Sequence, residues 1–99
     1  MPASKKLRIS VPAQQNLKDI VAYTKTTWSN KQAQHYLKQL RQSFDRLCIE
    51  PNLGKGYPDV DQTLQSYLCQ KHIIFYRIHG NTLNIIRILH QSMDIEAHF

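Results

Sequence analysis

Two arginines, Arg77 and Arg87, sit inside runs otherwise suited to β-strands: His72-Ile73-Ile74-Phe75-Tyr76-Arg77-Ile78 and Leu83-Asn84-Ile85-Ile86-Arg87-Ile88-Leu89-His90. A buried or half-buried guanidinium costs several kcal/mol unless it is paired. Each arginine therefore wants a partner, within the fold or on another molecule. His90 ends the second run close to Arg87 and Asp94, where the general base of a nuclease would stand. A histidine fixed by a carboxylate at a strand end gives the same pattern and is the favoured interpretation. Met93 and Asp94 follow just beyond the run.

Other chemistries find little support. The five histidines, His35, His72, His79, His90 and His98, include no pair at helical ligand spacing beside a carboxylate, so no metal site is expected. Cys48 and Cys69 lie far apart and are expected as reduced thiols in or near a core. Asp94 and Glu96 do not make a convincing acid pair. There is no Gly-x-Ser-x-Gly nucleophile motif, Walker loop or dinucleotide fingerprint, and no cofactor is expected.

The elements that must position the arginines follow from periodicity. Leu7-Arg8-Ile9-Ser10-Val11 alternates apolar and polar, as a short strand does. Pro12 closes it and suits the first turn of a helix. Leu17, Ile20, Val21, Thr24 and Trp28 then recur at helical spacing, with Trp28 expected as a core anchor at the corner. Ser29-Asn30-Lys31-Gln32 matches a capping box. Ala33, Tyr36, Leu37, Leu40, Phe44, Leu47 and Cys48 continue as the stripe of a second helix, predicting an α-hairpin. Arg41 and Arg46 fall on its solvated side, where they are also open to an acidic partner. Glu50-Pro51-Asn52-Leu53-Gly54 stops that helix. Lys55 to Gln62 is expected as an exposed, mobile loop, and Thr63 to Gln70 as a strand with Leu64, Ser66 and Leu68 on one side.

Gly80-Asn81 suits a two-residue hairpin turn. In that register cross-strand partners sum to 161, so Tyr76 faces Ile85, Ile74 faces Arg87, Arg77 faces Asn84 and Phe75 faces Ile86. One apolar face then comprises Ile74, Tyr76, Ile78, Leu83, Ile85 and Leu89 with Arg87 and His72. The other comprises Ile73, Phe75, Ile86 and Ile88 with Arg77. A loop of odd length would flip one strand and reassign the arginines. The helical hairpin can cover only one face, which leaves the other, or a groove beside it, as an expected docking surface.

The 99 residues suit one domain, 1–99, with a single core. No apolar run approaches the ~18 residues of a membrane span, and Met1 to Lys6 leads into no apolar segment of a secretory signal. A cytoplasmic protein is expected. Thirteen Lys and Arg against seven Asp and Glu give a formal charge of +6 and a pI near 9.6. That excess implies an acidic partner: nucleic acid, a nucleic-acid enzyme or a neutralising acidic protein.

Taken in order, these motifs resemble the RelE/ParE superfamily of bacterial toxins, and more narrowly its ParE branch. The matching residues are Leu17-Lys18-Asp19-Ile20, Tyr23-Thr24 and Trp28; Gln32-Ala33, Tyr36-Leu37, Leu40 and Phe44-Asp45-Arg46-Leu47; Pro51-Asn52-Leu53-Gly54; His72 to Ile78; and Ile86 to Asp94. The resemblance implies an α+β domain of order β-α-α-β-β-β, its N-terminal helical hairpin packed on a small antiparallel-dominated sheet. It implies a toxin neutralised by a ParD-like antitoxin whose C-terminal segment wraps it, and DNA gyrase as the target, blocked so that cleaved DNA accumulates. An acidic, amphipathic segment folding on binding would suit the basic, partly uncovered domain. Direct nucleic-acid binding and chemistry are not required. The expected target-binding residues are Arg77, Arg87, His90, Met93 and Asp94. The rival is the RelE branch, which cuts messenger RNA on the ribosome. Where many such nucleases carry an arginine three residues before the tyrosine of the penultimate strand, this chain has Ile73. Its end, Leu89-His90-Gln91-Ser92-Met93-Asp94, also lacks their basic or aromatic cluster.

Overall fold

A computed structural model describes residues 4–99; the start, Met1-Pro2-Ala3, lies outside the described residues. The elements run β1 (Lys6–Ile9), α1 (Val11–Thr27), α2 (Asn30–Ile49), a 3-10 turn (Pro51–Leu53), β2 (Lys55–Gly56), β3 (Gln65–Cys69), β4 (His72–His79) and β5 (Thr82–His90). The five strands form one sheet ordered β1-β5-β4-β3-β2. β1 lies parallel to β5 and every other pairing is antiparallel. The order agrees with the α+β expectation, with β2 as an extra two-residue edge strand.

Ser10 explains the early end of β1. Its backbone is extended, its side-chain oxygen accepts the Ala13 N–H at 3.1 Å, and α1 begins at once with Val11 and Pro12. Val11 is therefore helical rather than the last residue of a strand. Ser29 caps α2 in the same way, accepting the Gln32 N–H at 3.0 Å. Between the helices, Trp28 departs from the expected core position. It is the C-cap of α1, with φ −119° and ψ −80°, and is 73% exposed. Once the chain leaves helical geometry, the residue after the last turn no longer points along the stripe that Ile20 and Thr24 bury.

The helices cover one face of the sheet. There Ala13, Ile20, Leu40, Phe44, Leu47 and Cys48 pack on Cys69, Ile74, Tyr76, Leu83, Ile85 and Ile88. Tyr76 is fully buried, yet its hydroxyl is satisfied: it donates to Pro51 O at 2.7 Å and accepts the Gly54 N–H at 3.1 Å. Gly54 is needed for that approach, because a Cβ there would collide with the Tyr76 hydroxyl.

The outer face has a core of its own. Leu64, Phe75, Leu89 and Ile95 are buried together, with Tyr57, Val60, Ile73 and Ile86 against them. Phe75 makes edge-to-face contacts with Tyr57 and Phe99, each at 5.2 Å between ring centres. The 55–62 segment is thus no simple exposed loop: it begins as β2 and then lays Tyr57 and Val60 over the sheet. The expected bare second face is covered by this segment and the C-terminal tail, which together hide apolar area that the helices cannot reach.

The hairpin register changes once. Gly80 takes φ +58° in the turn, and Arg77–Asn84 and Tyr76–Ile85 pair as expected. Beyond them an irregularity between Phe75 and Tyr76 inserts Ile86, so that Phe75 pairs with Arg87 and Ile74 with Ile88. This β-bulge corrects the 161 register: Arg87 and Leu89 move to the outer face and Ile88 to the helix side. α1 fixes it in place. Ser10 Oγ donates to Ile86 O at 2.8 Å, and the Ile88 N–H donates to Asn16 Oδ1 at 3.1 Å. Asn16→Ala leaves that buried N–H without a partner and is expected to cost about 1–3 kcal/mol in urea unfolding. Gln15→Ala, on the exposed side of the same helix, should stay within about 0.5 kcal/mol.

Candidate functional site

The bulge brings Arg77 and Arg87 to one face of the sheet, where their surroundings differ. Arg77 Nη2 donates to Asp61 Oδ2 at 3.2 Å, and its Nε donates to Thr63 Oγ1 at 3.2 Å. Asp61 in turn accepts from the Thr63 amide and hydroxyl, each at 2.7 Å. These bonds to Thr63, reinforced by the Arg77 charge, hold the Asp61 carboxyl below its ordinary pKa. Arg77 has found its partner inside the fold, and the contact helps set the position of the 57–64 segment on the sheet.

Arg87 has none. It is partly buried opposite Phe75, and no carboxylate lies within ion-pair distance among the described residues. No ion pair with Asp94 forms, near as it is in sequence. Asp94 is exposed, and Met93, whose N–H donates to His90 O at 3.0 Å, is 46% exposed. The tail then turns back so that Ile95 and Phe99 reach the outer core. Arg87, Met93 and Asp94 thus belong to the same end of β5, where the chain crosses onto the outer face.

His90 does not join the arginines. It pairs with His72 and stands on the helix side of the sheet. No carboxylate fixes it; its Nδ1 accepts the Ser92 N–H at 3.1 Å and lies 2.7 Å from Ser92 Oγ. The His72 ring meets it edge-to-face at 5.2 Å. On its other side His72 Nδ1 is 2.5 Å from the Tyr36 hydroxyl, which donates to Cys69 O at 3.2 Å. Burial, helped by the neighbouring His90, pushes the His72 pKa down to about 4. Burial likewise raises Tyr36 to about 12.

This Tyr36–His72–His90 chain was not foreseen as a unit. Tyr36 read as one more residue of the α2 stripe. Only the pairing of His72 with His90 brings the three together. They line a cleft of about 490 Å³ whose rim includes Tyr23 and Trp28. Among the described residues, no group of three or more His, Cys, Asp or Glu side chains is placed to hold a metal ion.

Comparison with known proteins fits this geometry. The family described as ParE toxin of type II toxin–antitoxin system, parDE, matches residues 7–95. The chain belongs to the ParE toxin family. Toxin ParE1 of Mycobacterium tuberculosis is 31% identical over 94 residues, spanning 94% of this chain and 96% of its own. Toxin ParE1 of Caulobacter vibrioides is 32% identical over 94 residues, spanning 95% and 97%. Among solved structures, a chain of the chromosomal ParDE toxin–antitoxin system from P. aeruginosa superposes with a TM-score of 0.76 at 17% identity, covering 88% of this chain and 96% of that one. A chain of the RelBE2 toxin–antitoxin complex from Mycobacterium tuberculosis gives 0.68 at 20% identity, covering 89% and 99%. At these identities the structural likeness speaks for the fold. The matched segment runs from β1 into the tail, so both helices, the bulge and the β5 end all lie within the ParE pattern. Among the described residues, no helix is long and apolar enough to cross a membrane.

The histidine chain makes stability pH-dependent. His72 titrates near 6.5 when unfolded and near 4 when folded, so between those values the unfolded chain binds the extra proton. Its contribution is full above about 6.5 and is lost as pH falls towards 4. Urea midpoints measured across this range should fall with acid in the native protein. His72→Gln should flatten the part of the slope that this residue supplies.

Proposed function

We propose that this toxin acts by binding DNA gyrase and trapping it on cleaved DNA, without chemistry of its own, and that a ParD-like antitoxin neutralises it. The observation that carries this reading is Arg87: a cation inside an apolar strand, with no carboxylate of its own, at the exposed end of the outer face. An unpaired, partly desolvated guanidinium is ready for an acidic group on a partner, and arginine is enriched at binding hot spots. Met93 and Asp94 extend the same contact, and His90 supports the turn that presents them through Ser92. Arg77 serves the site indirectly, by holding the segment beside it.

The ribonuclease alternative fits less well. It needs cations and acid–base groups converging on one scissile phosphate. Arg77 and Arg87 lie on one face of the sheet and His90 on the other, and Arg77 is committed to Asp61.

The antitoxin has a fitting place between the helices. A groove of about 440 Å³ has Leu17, Val21 and Leu37 as its apolar lining and Lys18, Lys25 and Arg41 as its cations. That pattern suits the acidic, amphipathic segment of a ParD-like protein folding as it binds. Lys18→Glu with Arg41→Glu should weaken capture of the antitoxin by about tenfold or more, with the sharpest loss at low salt.

The direct test is a gyrase supercoiling and DNA-cleavage assay with purified, antitoxin-free toxin. Loss of supercoiling with accumulated double-strand breaks is expected. Arg87→Ala should raise the inhibitory concentration by about tenfold or more while leaving the unfolding midpoint nearly unchanged. Arg77→Ala should instead loosen the 57–64 segment, detectable as faster amide exchange at Thr63 and Leu64. Intact gyrase activity with rapid transcript cleavage would move the function to RNA.

A further inference from the structure

The cleft on the helix side is separate from the Arg87 contact, and its lining is unusual. Trp28 and Tyr23, 73% and 67% exposed, stand on its rim. Leaving two large aromatic rings in water forgoes burial worth about 25 cal/mol per Å². Lining the same cleft are Lys71, at the β3–β4 turn, and His72, with His35 contributed by α2. The remaining lining is glutamine, threonine, tyrosine and His90; no aliphatic side chain and no carboxylate takes part.

Those absences narrow the occupant. A protein helix laid in a groove buries its apolar face against aliphatic side chains, and lysine is depleted at interface cores. Here exposed rings meet a cation, imidazoles and amides, the combination that stacks a base, pairs a phosphate and hydrogen-bonds a base edge. The floor is pre-organised, because Tyr36 is tied to both Cys69 O and His72. The volume of about 490 Å³ lies within the ~300–1,000 Å³ typical of small-ligand sites. With a net charge of +6 the whole chain attracts polyanions.

We infer that this cleft binds a nucleotide unit of single-stranded nucleic acid, with Tyr23 and Trp28 stacking the base and Lys71 meeting the phosphate. The site stands on the face opposite Arg87 and does not depend on the gyrase reading.

Trp28 is the sole tryptophan, so its fluorescence reports the cleft directly. Titration of the whole toxin with oligothymidylate and oligouridylate at low salt should quench it saturably, with affinity falling as salt rises. The two oligomers distinguish DNA from RNA as the source of the strand. Tyr23→Ala and Lys71→Glu should each weaken the quenching by about tenfold; both positions are exposed, and circular dichroism checks their folding. Gyrase inhibition by Tyr23→Ala toxin should be unchanged, so the two proposals fail separately. The inference is overturned by any of three results: no saturable quenching, quenching that neither variant alters, or quenching by polyglutamate with none by oligonucleotide. The last would assign the cleft to an acidic protein.

Discussion

The hydrogen bonds that Ser10 and Asn16 extend to β5 determine where the functional groups of this toxin lie. β1 accompanies β5 only as far as Ile85. Past that point the edge of β5 would carry unpaired backbone groups, and a buried orphan costs about 1–3 kcal/mol. The start of α1 supplies the missing partners, Ser10 Oγ to Ile86 O and Asn16 Oδ1 from Ile88 N–H. Held this way, β5 accommodates one extra residue. Everything after it changes face: Arg87 and Leu89 go outward, Ile88 goes inward, and His90 comes to rest beside His72.

The two arginines then part in role. The Arg77–Asp61 pair is partly exposed on both sides, and pairs of that kind contribute only about 0–1 kcal/mol. It cannot by itself hold the covering segment down. That hold comes from Tyr57, Val60 and Leu64 against Phe75, while the ion pair and Thr63 set position. Arg87 carries no such duty. A guanidinium kept unpaired within a packed strand is a cost to the free protein, one that the proposed contact with an acidic partner would offset. A buried pair is a poor source of stability but an effective source of specificity at an interface.

Much of the fold could be read from periodicity alone. The α2 stripe, the Ser29 cap and the Gly80 turn all stand as the residue pattern predicts, because each is a local consequence of spacing and side-chain type. What escaped was non-local. The bulge depends on Asn16, some seventy residues away from Ile88, and no window of sequence around β5 contains it. Trp28 kept the helical period in sequence but fell one residue past the helix, where period no longer fixes direction. Tyr57 and Val60 lie in a polar stretch whose apolar residues are too sparse to show a pattern, yet they close the outer core. The candidate site was legible as a list of residues and not as an arrangement. Arg87, Met93 and Asp94 share the β5 end, Arg77 is a clamp, and His90 belongs to the opposite side.

That arrangement bears on what kind of toxin a ParE fold can be. General acid–base cleavage of a phosphodiester requires proton donor and acceptor in reach of one reacting centre, and a cation there as well. Consecutive residues of a strand point to opposite faces of the sheet, so a single inserted residue reassigns every group beyond it. In this chain the bulge puts Arg87 with Arg77 and moves His90 away from Arg77, while Arg87 and His90, three residues apart on one strand, point to opposite faces in either register. Shifting His90 onto the arginine face would also turn Ile88 outward and Leu89 inward, undoing both cores at once. The packing that stabilises the sheet therefore keeps His90 and the two arginines on different surfaces. These placements favour the binding role proposed for the toxin.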